Sequence, residues 1–149
     1  MRPLRACEAM TCQLRVCHPG QSVRDCARMM AEGDVGALPV GENGRLVGIV
    51  TDRDLAVRVI AAGKAPDTPV SEVMTREVLC CVEGQDLEDI AQHMAEARVR
   101  RVPVVDQERR LVGILSLGDV ALKHDPETAA RTVWAVSRPG GPHSHGETR

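Results

Sequence analysis

The sequence predicts a mixed α/β (α+β) fold made of two copies of one β-α-β-β-α unit. Three observations lead to this prediction. Residues 10–40 align with residues 74–104 without a gap, so that Met-Thr, Gly-Gln and Pro-Val coincide. After one inserted residue, the run RLVGIVTDRDL aligns with RLVGILSLGDV. In each copy the apolar spacing changes from that of a strand to that of a helix and back, which is typical of a duplicated supersecondary unit.

The first half of each copy reads as a strand, a turn and a helix. The strands are predicted at residues 14–17 and 78–82, and Gly20 and Gly84 mark the turns. The apolar spacing i, i+3, i+4, i+7 then predicts a helix with one face toward the core. We expect Ser22 to cap the first helix and Asp86 to cap the second. The predicted core positions are Val23, Cys26, Ala27 and Met30, and Leu87, Ile90, Ala91 and Met94.

The second half of each copy reads as a hairpin followed by another helix. In the first copy, strands at 37–40 and 46–50 flank Asn43-Gly44, a dipeptide that favours a tight hairpin turn. The equivalent strands of the second copy are predicted at 102–105 and 111–115. Helices are expected at 52–62 and 117–123. A unit of this size is marginal alone, so we expect the two copies to share a core about a pseudo-two-fold axis.

Composition excludes several classes of function. Trp134 is the single aromatic residue among 149, which disfavours binding that stacks bases on aromatic side chains. The formal net charge of −2 predicts no general attraction to nucleic acid or to an anionic membrane. No apolar run approaches the length of a membrane span, and the N-terminus lacks the apolar core of a signal peptide. We therefore expect a cytoplasmic protein without a membrane partner.

The six cysteines leave three interpretations open. None forms a C-x-x-C pair, so the usual zinc and dithiol spacings are missing. Cys26 and Cys80 fall at positions that the pattern reserves for apolar residues, which favours buried or inert thiols. The alternatives are a redox-sensitive pair involving the N-terminal three cysteines, Cys7, Cys12 and Cys17, or a metal site. His143 and His145 lie in a Pro- and Gly-rich tail and read as solvated side chains.

A hydroxyl residue and an aspartate recur three positions apart at the end of the last strand of each copy. The pairs are Thr51 with Asp54 and Ser116 with Asp119, each following a Gly and two apolar residues. One interpretation is a capping box at the start of a helix. The other is a ligand site, in which the carboxylate accepts hydrogen bonds from a vicinal diol while the hydroxyl and backbone amides face a phosphate. Gly48 and Gly113 would admit a flat ring or another backbone, or would serve packing alone.

These doubled motifs, together with MT and ALPV or RVPV in each copy, resemble a tandem cystathionine β-synthase (CBS) domain pair of the stand-alone bacterial type, similar to hypoxic-response CBS proteins. The resemblance implies CBS repeats at 8–63 and 71–124 with a linker at 64–70. A helix at 125–137, capped by Asp125, and a disordered tail at 138–149 follow. It also implies that the protein forms a homodimer and acts on a protein target that the sequence does not identify. The ligand implied is AMP, ADP, ATP or another adenosyl compound, bound in the cleft between the repeats.

The resemblance further implies two unequal sites. In the family, the Asp of this motif binds the ribose hydroxyls and the residues before Pro-Val contact the nucleotide. The better predicted site has paired arginines for phosphate and small residues that make room; it comprises Asp119, Ser116, Ile114, Arg100, Arg101, Gly36, Ala37 and Thr11. The weaker predicted site comprises Asp54, Thr51, Arg53 and Thr75. A further interpretation of the arginines is a basic strand edge that discourages aggregation.

Two functions from different classes follow from these features. The first is a non-catalytic regulatory module that responds to an adenine nucleotide. The second is a nucleotide-independent dimeric scaffold, or a redox or stress-response protein that uses its cysteines. The sequence has no Ser-His-Asp pattern, no metal-ligand spacing and no phosphate-binding glycine loop, so it does not predict an enzyme. We expect neither a resident metal nor a covalent cofactor.

Overall fold

A computed structural model describes residues 3–12, 14–123 and 126–137 of the chain. The described residues form two units. Unit 1 contains residues 3–12, 79–108, 112–123 and 126–137, and unit 2 contains residues 14–78 and 109–111. The predicted disordered tail, its two histidines and the predicted helix cap Asp125 lie outside the described residues.

Unit 2 is built around an antiparallel hairpin. Helix α2 (Val23–Gly33) precedes strands β1 (Ala37–Glu42) and β2 (Arg45–Thr51). Asn43 and Gly44 connect the strands with φ angles of 55° and 79°, the left-handed conformation that a tight hairpin turn requires. The predicted hairpin is therefore confirmed. A short helix α3 (Asp52–Asp54) continues as a π-helical segment (Leu55–Ile60), and a 3₁₀ turn follows at Val70–Glu72.

Unit 1 repeats this plan and adds helices at both ends of the chain. It contains α1 (Ala6–Ala9), β3 (Cys81–Val82), α4 (Leu87–Ala97), β4 (Arg101–Val105), β5 (Leu111–Ser116), α5 (Leu117–Lys123) and α6 (Pro126–Ser137). Its strands lie in the order β3-β4-β5. Strand β3 pairs in parallel with β4, with Cys81 opposite Val104. In unit 2, Cys17 makes the equivalent parallel bridge to Val40.

The first strand of each copy is shorter than predicted. Of the residues 14–17 that were predicted as a strand, only Cys17 pairs with β1, and its N–H donates to the carbonyl of Pro39 at 2.9 Å. Pro39 has no N–H to donate to the preceding residues, so the parallel ladder cannot extend toward Leu14. In the second copy the strand is limited to Cys81–Val82, and Pro103 occupies the equivalent position in β4.

Each unit has its own apolar core, and the predicted helix faces contribute to both. Val23, Cys26 and Met30 of α2 are buried, as predicted, but Ala27 is exposed. Its counterpart Ala91 is fully buried because α6, which only the second copy has, packs on α4. The side chain of Thr132 on α6 donates to the carbonyl of Ala91 at 3.5 Å.

One predicted helix cap is confirmed and the other is wrong. The side chain of Ser22 accepts a hydrogen bond from the N–H of Asp25 at 3.1 Å, as expected for a cap. Asp86 occupies the capping position of α4 but makes no side-chain capping bond. At this helix start the N–H of Leu87, the first helical residue, donates to the carbonyl of Leu4 at 2.7 Å, so a distant backbone segment satisfies one of the free N–H groups of the first turn.

Candidate functional site

The Ser116–Asp119 pair lies where β5 ends and α5 begins. The N–H of Ser116 donates to Oδ2 of Asp119 at 2.9 Å, and the N–H of Asp119 donates to Oγ of Ser116 at 3.1 Å. These two reciprocal bonds form a capping box. The first interpretation of the motif is thus correct for this pair, and it occupies one oxygen of the carboxylate.

Thr51 and Asp54 form the same arrangement at the end of β2. The N–H of Thr51 donates to Oδ2 of Asp54 at 2.9 Å, and the N–H of Asp54 donates to Oγ1 of Thr51 at 3.1 Å. The two copies therefore share a local structure that fixes the carboxylate relative to the strand end. At the junction itself, the copies can differ only in the surroundings of the second carboxylate oxygen.

That second oxygen has different surroundings in the two copies. Oδ1 of Asp54 lies 3.8 Å from Nε of Arg58, and Asp54 is only 4% exposed. Asp119 is partly exposed, and its Oδ1 has no hydrogen-bond or ion-pair partner within residues 3–12, 14–123 and 126–137. Both carboxylate oxygens of Asp54 therefore have partners within the protein. Asp119 retains one carboxylate oxygen that can accept a hydrogen bond from a ligand.

The residue four positions after each aspartate explains this difference. Arg58 contacts Asp54 through Nε and donates through Nη1 to the carbonyl of Val73 at 3.0 Å. Lys123 occupies the equivalent place after Asp119 and donates to the carbonyl of Ala9 at 3.2 Å. A guanidinium has donors enough for both acceptors, whereas the ammonium of lysine is a compact point charge. Sequence reasoning missed both cations, although the i, i+4 spacing was a usable signal.

Unit 1 brings together six of the eight residues predicted for the better site. Thr11 and Ile114 exchange two backbone hydrogen bonds, at 2.9 and 3.1 Å, beside the strand that ends in Ser116. The carbonyl of Arg100 accepts from the N–H of Leu117 at 3.1 Å, which places the start of β4 next to the junction. The six residues are Asp119, Ser116, Ile114, Arg100, Arg101 and Thr11.

The two arginines differ in their contacts. Nη2 of Arg100 lies 3.4 Å from Oγ of Ser137 at the end of α6. The Arg101 side chain is exposed and has no ion pair or hydrogen bond to any other residue that the structure describes. Both guanidinium groups are therefore available to an anion at little cost, because the single contact of Arg100 is long and exposed.

Unit 2 brings together the remaining predicted residues. The carbonyl of Gly36 accepts from the N–H of Asp52 at 2.9 Å, and Ala37 pairs with Thr51 across the hairpin. Thr75 exchanges two backbone hydrogen bonds with Ile49, at 2.9 and 3.0 Å. The residues predicted for the weaker site, Asp54, Thr51, Arg53 and Thr75, thus belong to one unit. Gly36 and Ala37, which were assigned to the better site, belong to this unit as well.

Gly48 and Gly113 admit a neighbouring backbone segment. A Cβ atom at Gly48 would lie 2.9 Å from the carbonyl oxygen of Thr75 and 2.7 Å from Sδ of Met74. A Cβ atom at Gly113 would lie 3.1 Å from the carbonyl oxygen of Thr11. Of the three interpretations offered by the sequence, close approach of another backbone is the one that these contacts support. The Met-Thr segment of each copy therefore packs on a strand of the other copy.

The cysteines divide into exposed and buried groups. Cys7 and Cys12 are exposed, whereas Cys17, Cys26 and Cys81 are buried. Burial raises the pKa of Cys81 to about 12. Sγ of Cys17 lies 3.1 Å from Sγ of Cys26. Within the described residues no three His, Cys, Asp or Glu side chains lie close enough together to hold a metal ion.

The family profile of the CBS domain matches residues 6–60 and 70–123. The chain belongs to the CBS domain family. A CBS domain-containing protein of Bacillus subtilis, YhcV, is 45% identical over 131 residues, covering 87% of this chain and 93% of its own. Hypoxic response protein 1 of Mycobacterium tuberculosis is 39% identical over 122 residues, covering 80% and 84% of the two chains.

Solved CBS proteins have the same fold. The crystal structure of a hypoxic response protein with two coordinated zinc ions aligns with a TM-score of 0.75 and 31% identity, covering 82% of this chain and all of that one. The CBS domain pair of protein MJ0100, in complex with 5′-methylthioadenosine and S-adenosylmethionine, aligns with a TM-score of 0.74 and 27% identity. It covers 81% of this chain and 95% of its own.

These matches confirm the predicted fold class and the predicted family. The chain carries two CBS repeats of mixed helix and strand, and CBS pairs are regulatory modules. None of the helices in the described part of the chain is long and apolar enough to cross a membrane.

Proposed function

We propose that this CBS pair is a non-catalytic regulatory module that binds an adenine nucleotide, or another adenosyl ligand, at the junction of β5 and α5. The observation that carries the proposal is the unpaired Oδ1 of Asp119, held in place by the capping box that fixes the other oxygen. A carboxylate oxygen fixed in this way can accept hydrogen bonds from the two ribose hydroxyls at little entropic cost.

The groups around Asp119 supply the other contacts that a nucleotide needs. Arg100 and Arg101 carry the charge that phosphate groups require, and Ile114 offers an apolar surface to the adenine ring. Thr11, on the neighbouring backbone segment, has an exposed hydroxyl group that can donate to ligand oxygen atoms. MJ0100, which binds adenosyl ligands, supports this class of ligand for a CBS pair. That Gly36 and Ala37 complete the same site stays a prediction from the sequence.

The two copies differ in this proposal. One oxygen of the Asp54 carboxylate accepts the capping bond, the other is ion-paired with Arg58, and the residue is buried. A ligand at the β2–α3 junction would have to displace Arg58 before it could use this carboxylate. We therefore expect tight binding at one junction and weak binding or none at the other.

Isothermal titration calorimetry with AMP, ADP and ATP tests the proposal directly. We expect at least one of the three to bind with a dissociation constant below about 1 mM. Asp119→Asn keeps an oxygen for the capping bond but replaces the free oxygen with an NH₂ donor. Loss of a charged hydrogen bond is worth about 1.5 to 3 kcal/mol, so this variant should bind at least ~10-fold more weakly.

Asp54→Asn is the matched control. It makes the same chemical change in the copy whose carboxylate already has partners, so the affinity should stay within about twofold of the wild type. Circular dichroism establishes that both variants are folded. Absence of heat with all three nucleotides, or equal losses in the two variants, would contradict the site assignment.

Regulation requires that the ligand bind one state of the protein better than another. In this proposal, the ligand changes the association of the CBS pair with a second copy or with a target protein. Analytical ultracentrifugation with and without the nucleotide that binds measures the first possibility. A shift of the monomer–dimer equilibrium is the expected result. Identical sedimentation with and without the nucleotide would mean that the ligand acts on the association with the target protein instead.

A further inference from the structure

Cys17 and Cys26 form a buried pair of thiols in unit 2, whereas Asp119 belongs to unit 1. Their sulfur atoms lie 3.1 Å apart, and the residues are 1% and 0% exposed. This separation is shorter than ordinary contact between two non-bonded sulfurs. A disulfide has an S–S distance of about 2.0 Å, so each sulfur would need to move by only about half an ångström.

Both thiols stand on well-anchored backbone. Cys26 lies within α2, and its N–H donates to the carbonyl of Ser22 at 3.1 Å. Cys17 is held on the edge of β1 by two hydrogen bonds, to Pro39 at 2.9 Å and from Gly41 at 2.8 Å. The short approach of the two sulfurs is therefore built on backbone that hydrogen bonds hold in place on both sides.

The interaction between the thiols also prepares one of them to react. Donation of a hydrogen bond by Cys17 lowers the pKa of Cys26, and the same contact together with burial raises the pKa of Cys17. The first proton to leave the pair is therefore that of Cys26. Thiolate is the reactive form of cysteine, so in the proposal below Cys26 is assigned as the nucleophile and Cys17 as the resolving thiol.

We propose that Cys17 and Cys26 form a reversible intrachain disulfide when the protein meets a peroxide. The Cys26 thiolate attacks one peroxide oxygen, the O–O bond breaks, and a sulfenic acid forms while hydroxide leaves. The Cys17 sulfur then attacks the sulfenic sulfur, the S–O bond breaks, and a second hydroxide leaves. The two thiol protons convert both hydroxides to water, so two thiols and one hydrogen peroxide give one disulfide and two waters.

Burial selects the oxidant. Because both sulfurs are covered, an oxidant reaches them only during a local opening of the unit, and hydrogen peroxide needs a much smaller opening than a bulky disulfide reagent. The product ties the edge of β1 to α2, closing a loop between residues that are nine apart in sequence. Such a loop restricts the unfolded chain, so the oxidised protein should unfold at a temperature about 5 to 10 °C higher.

Peptide mapping of the wild-type chain tests the proposal and requires no variant. The protein is reduced, treated with hydrogen peroxide, blocked with an alkylating reagent under denaturing conditions and digested with trypsin. We expect VCHPGQSVR and DCAR to appear as one linked species, lighter than their sum by two hydrogens. The link should disappear after treatment with dithiothreitol. Alkylation of both cysteines, or oxidation of Cys26 to a sulfinic acid without a link, overturns the proposal.

Variants test the consequence for stability. The double variant Cys7→Ser/Cys12→Ser lacks only exposed thiols and should retain both the linked peptide and the rise in unfolding temperature. Cys17→Ala should lose both. An equal rise in Cys17→Ala would assign the stabilisation to another pair and contradict the proposal. Because the linked peptide is measured in the wild type, poor folding of Cys17→Ala would not affect the first test.

Discussion

Replacement of Gly48 by alanine should destabilise the protein, although alanine usually stabilises a chain relative to glycine. The new Cβ would lie 2.9 Å from the carbonyl oxygen of Thr75 and 2.7 Å from Sδ of Met74. Met74 can rotate its side chain, but the Thr75 carbonyl is backbone and can move only with its whole segment. That segment is attached to β2 by two hydrogen bonds between Ile49 and Thr75, at 2.9 and 3.0 Å.

The expected magnitude follows from those two bonds. Each contributes about 1 kcal/mol net, so their loss or distortion costs about 2 to 3 kcal/mol, including repacking of the buried Met74 side chain. Alanine also reduces the conformational entropy of the unfolded chain, which offsets about 0.4 to 1 kcal/mol of this loss. The free energy of unfolding should therefore fall by about 1 to 2.5 kcal/mol, measured from urea denaturation by linear extrapolation.

Gly84→Ala is the matched control for this prediction. Its Cβ would meet only the flexible end of Arg5, at 4.0 Å, so its stability should stay within about 0.5 kcal/mol of the wild type. If Gly48→Ala proved as stable as Gly84→Ala, the close approach of the Met-Thr segment to β2 would not hold the unit together, and the reasoning would be refuted.

Three further predictions concern the turn, a buried thiol and an ion pair. Gly44→Ala should lose about 1 kcal/mol in urea denaturation, because φ is +79° there and a Cβ is disfavoured; unchanged stability would contradict the turn assignment. Burial raises the pKa of Cys81 to about 12, so the folded thiol stays protonated while the unfolded one ionises above about pH 9. Stability should therefore fall between pH 8 and 10 by about 1.4 kcal/mol more in the wild type than in Cys81→Ala, and equal losses would refute this. Arg58→Met should destabilise by about 1 to 2 kcal/mol through loss of its ion pair with the buried Asp54 and its hydrogen bond to the Val73 carbonyl, whereas Lys123→Met should cost less because it removes one hydrogen bond and leaves no buried carboxylate without its cation.

The architecture was predictable because it depends on local signals that the duplication presents twice. Asn43-Gly44 specifies the hairpin, and Ser22 caps α2 as its residue type suggests. The aspartates of the doubled motif are where the sequence predicted them, at the starts of helices α3 and α5. In each case the signal and the structure that it specifies lie within a few residues of one another.

The features that were missed depend on contacts between distant residues. Asp86 has a capping residue's identity but makes no side-chain capping bond, and the first turn of its helix is bound instead by the distant carbonyl of Leu4. Ala91 is buried and Ala27 exposed because α6 covers only one of two equivalent helices. The approach of Cys17 to Cys26 is of the same kind, since their spacing of nine residues matches no recognised motif.

The sequence placed the candidate site on the chain and ranked the Asp119 site above the Asp54 site, and that ranking stays a prediction. The paired arginines and small residues suggested that the Asp119 site would be the stronger one. The structure adds a more direct reason, because Arg58 covers Asp54 whereas Lys123 leaves Asp119 Oδ1 uncovered. The choice between arginine and lysine at an ordinary helix position thus distinguishes the two junctions.

A thermodynamic cycle between Asp119 and the ribose hydroxyls tests the central claim most directly. Calorimetry would compare ATP with 2′,3′-dideoxy-ATP, in the wild type and in Asp119→Asn. If Asp119 Oδ1 binds the hydroxyls, removing them should weaken binding to the wild type at least ~10-fold and change binding to Asp119→Asn by less than about threefold. Equal losses in both proteins would show that the hydroxyls and this carboxylate do not interact, which would contradict the proposed site.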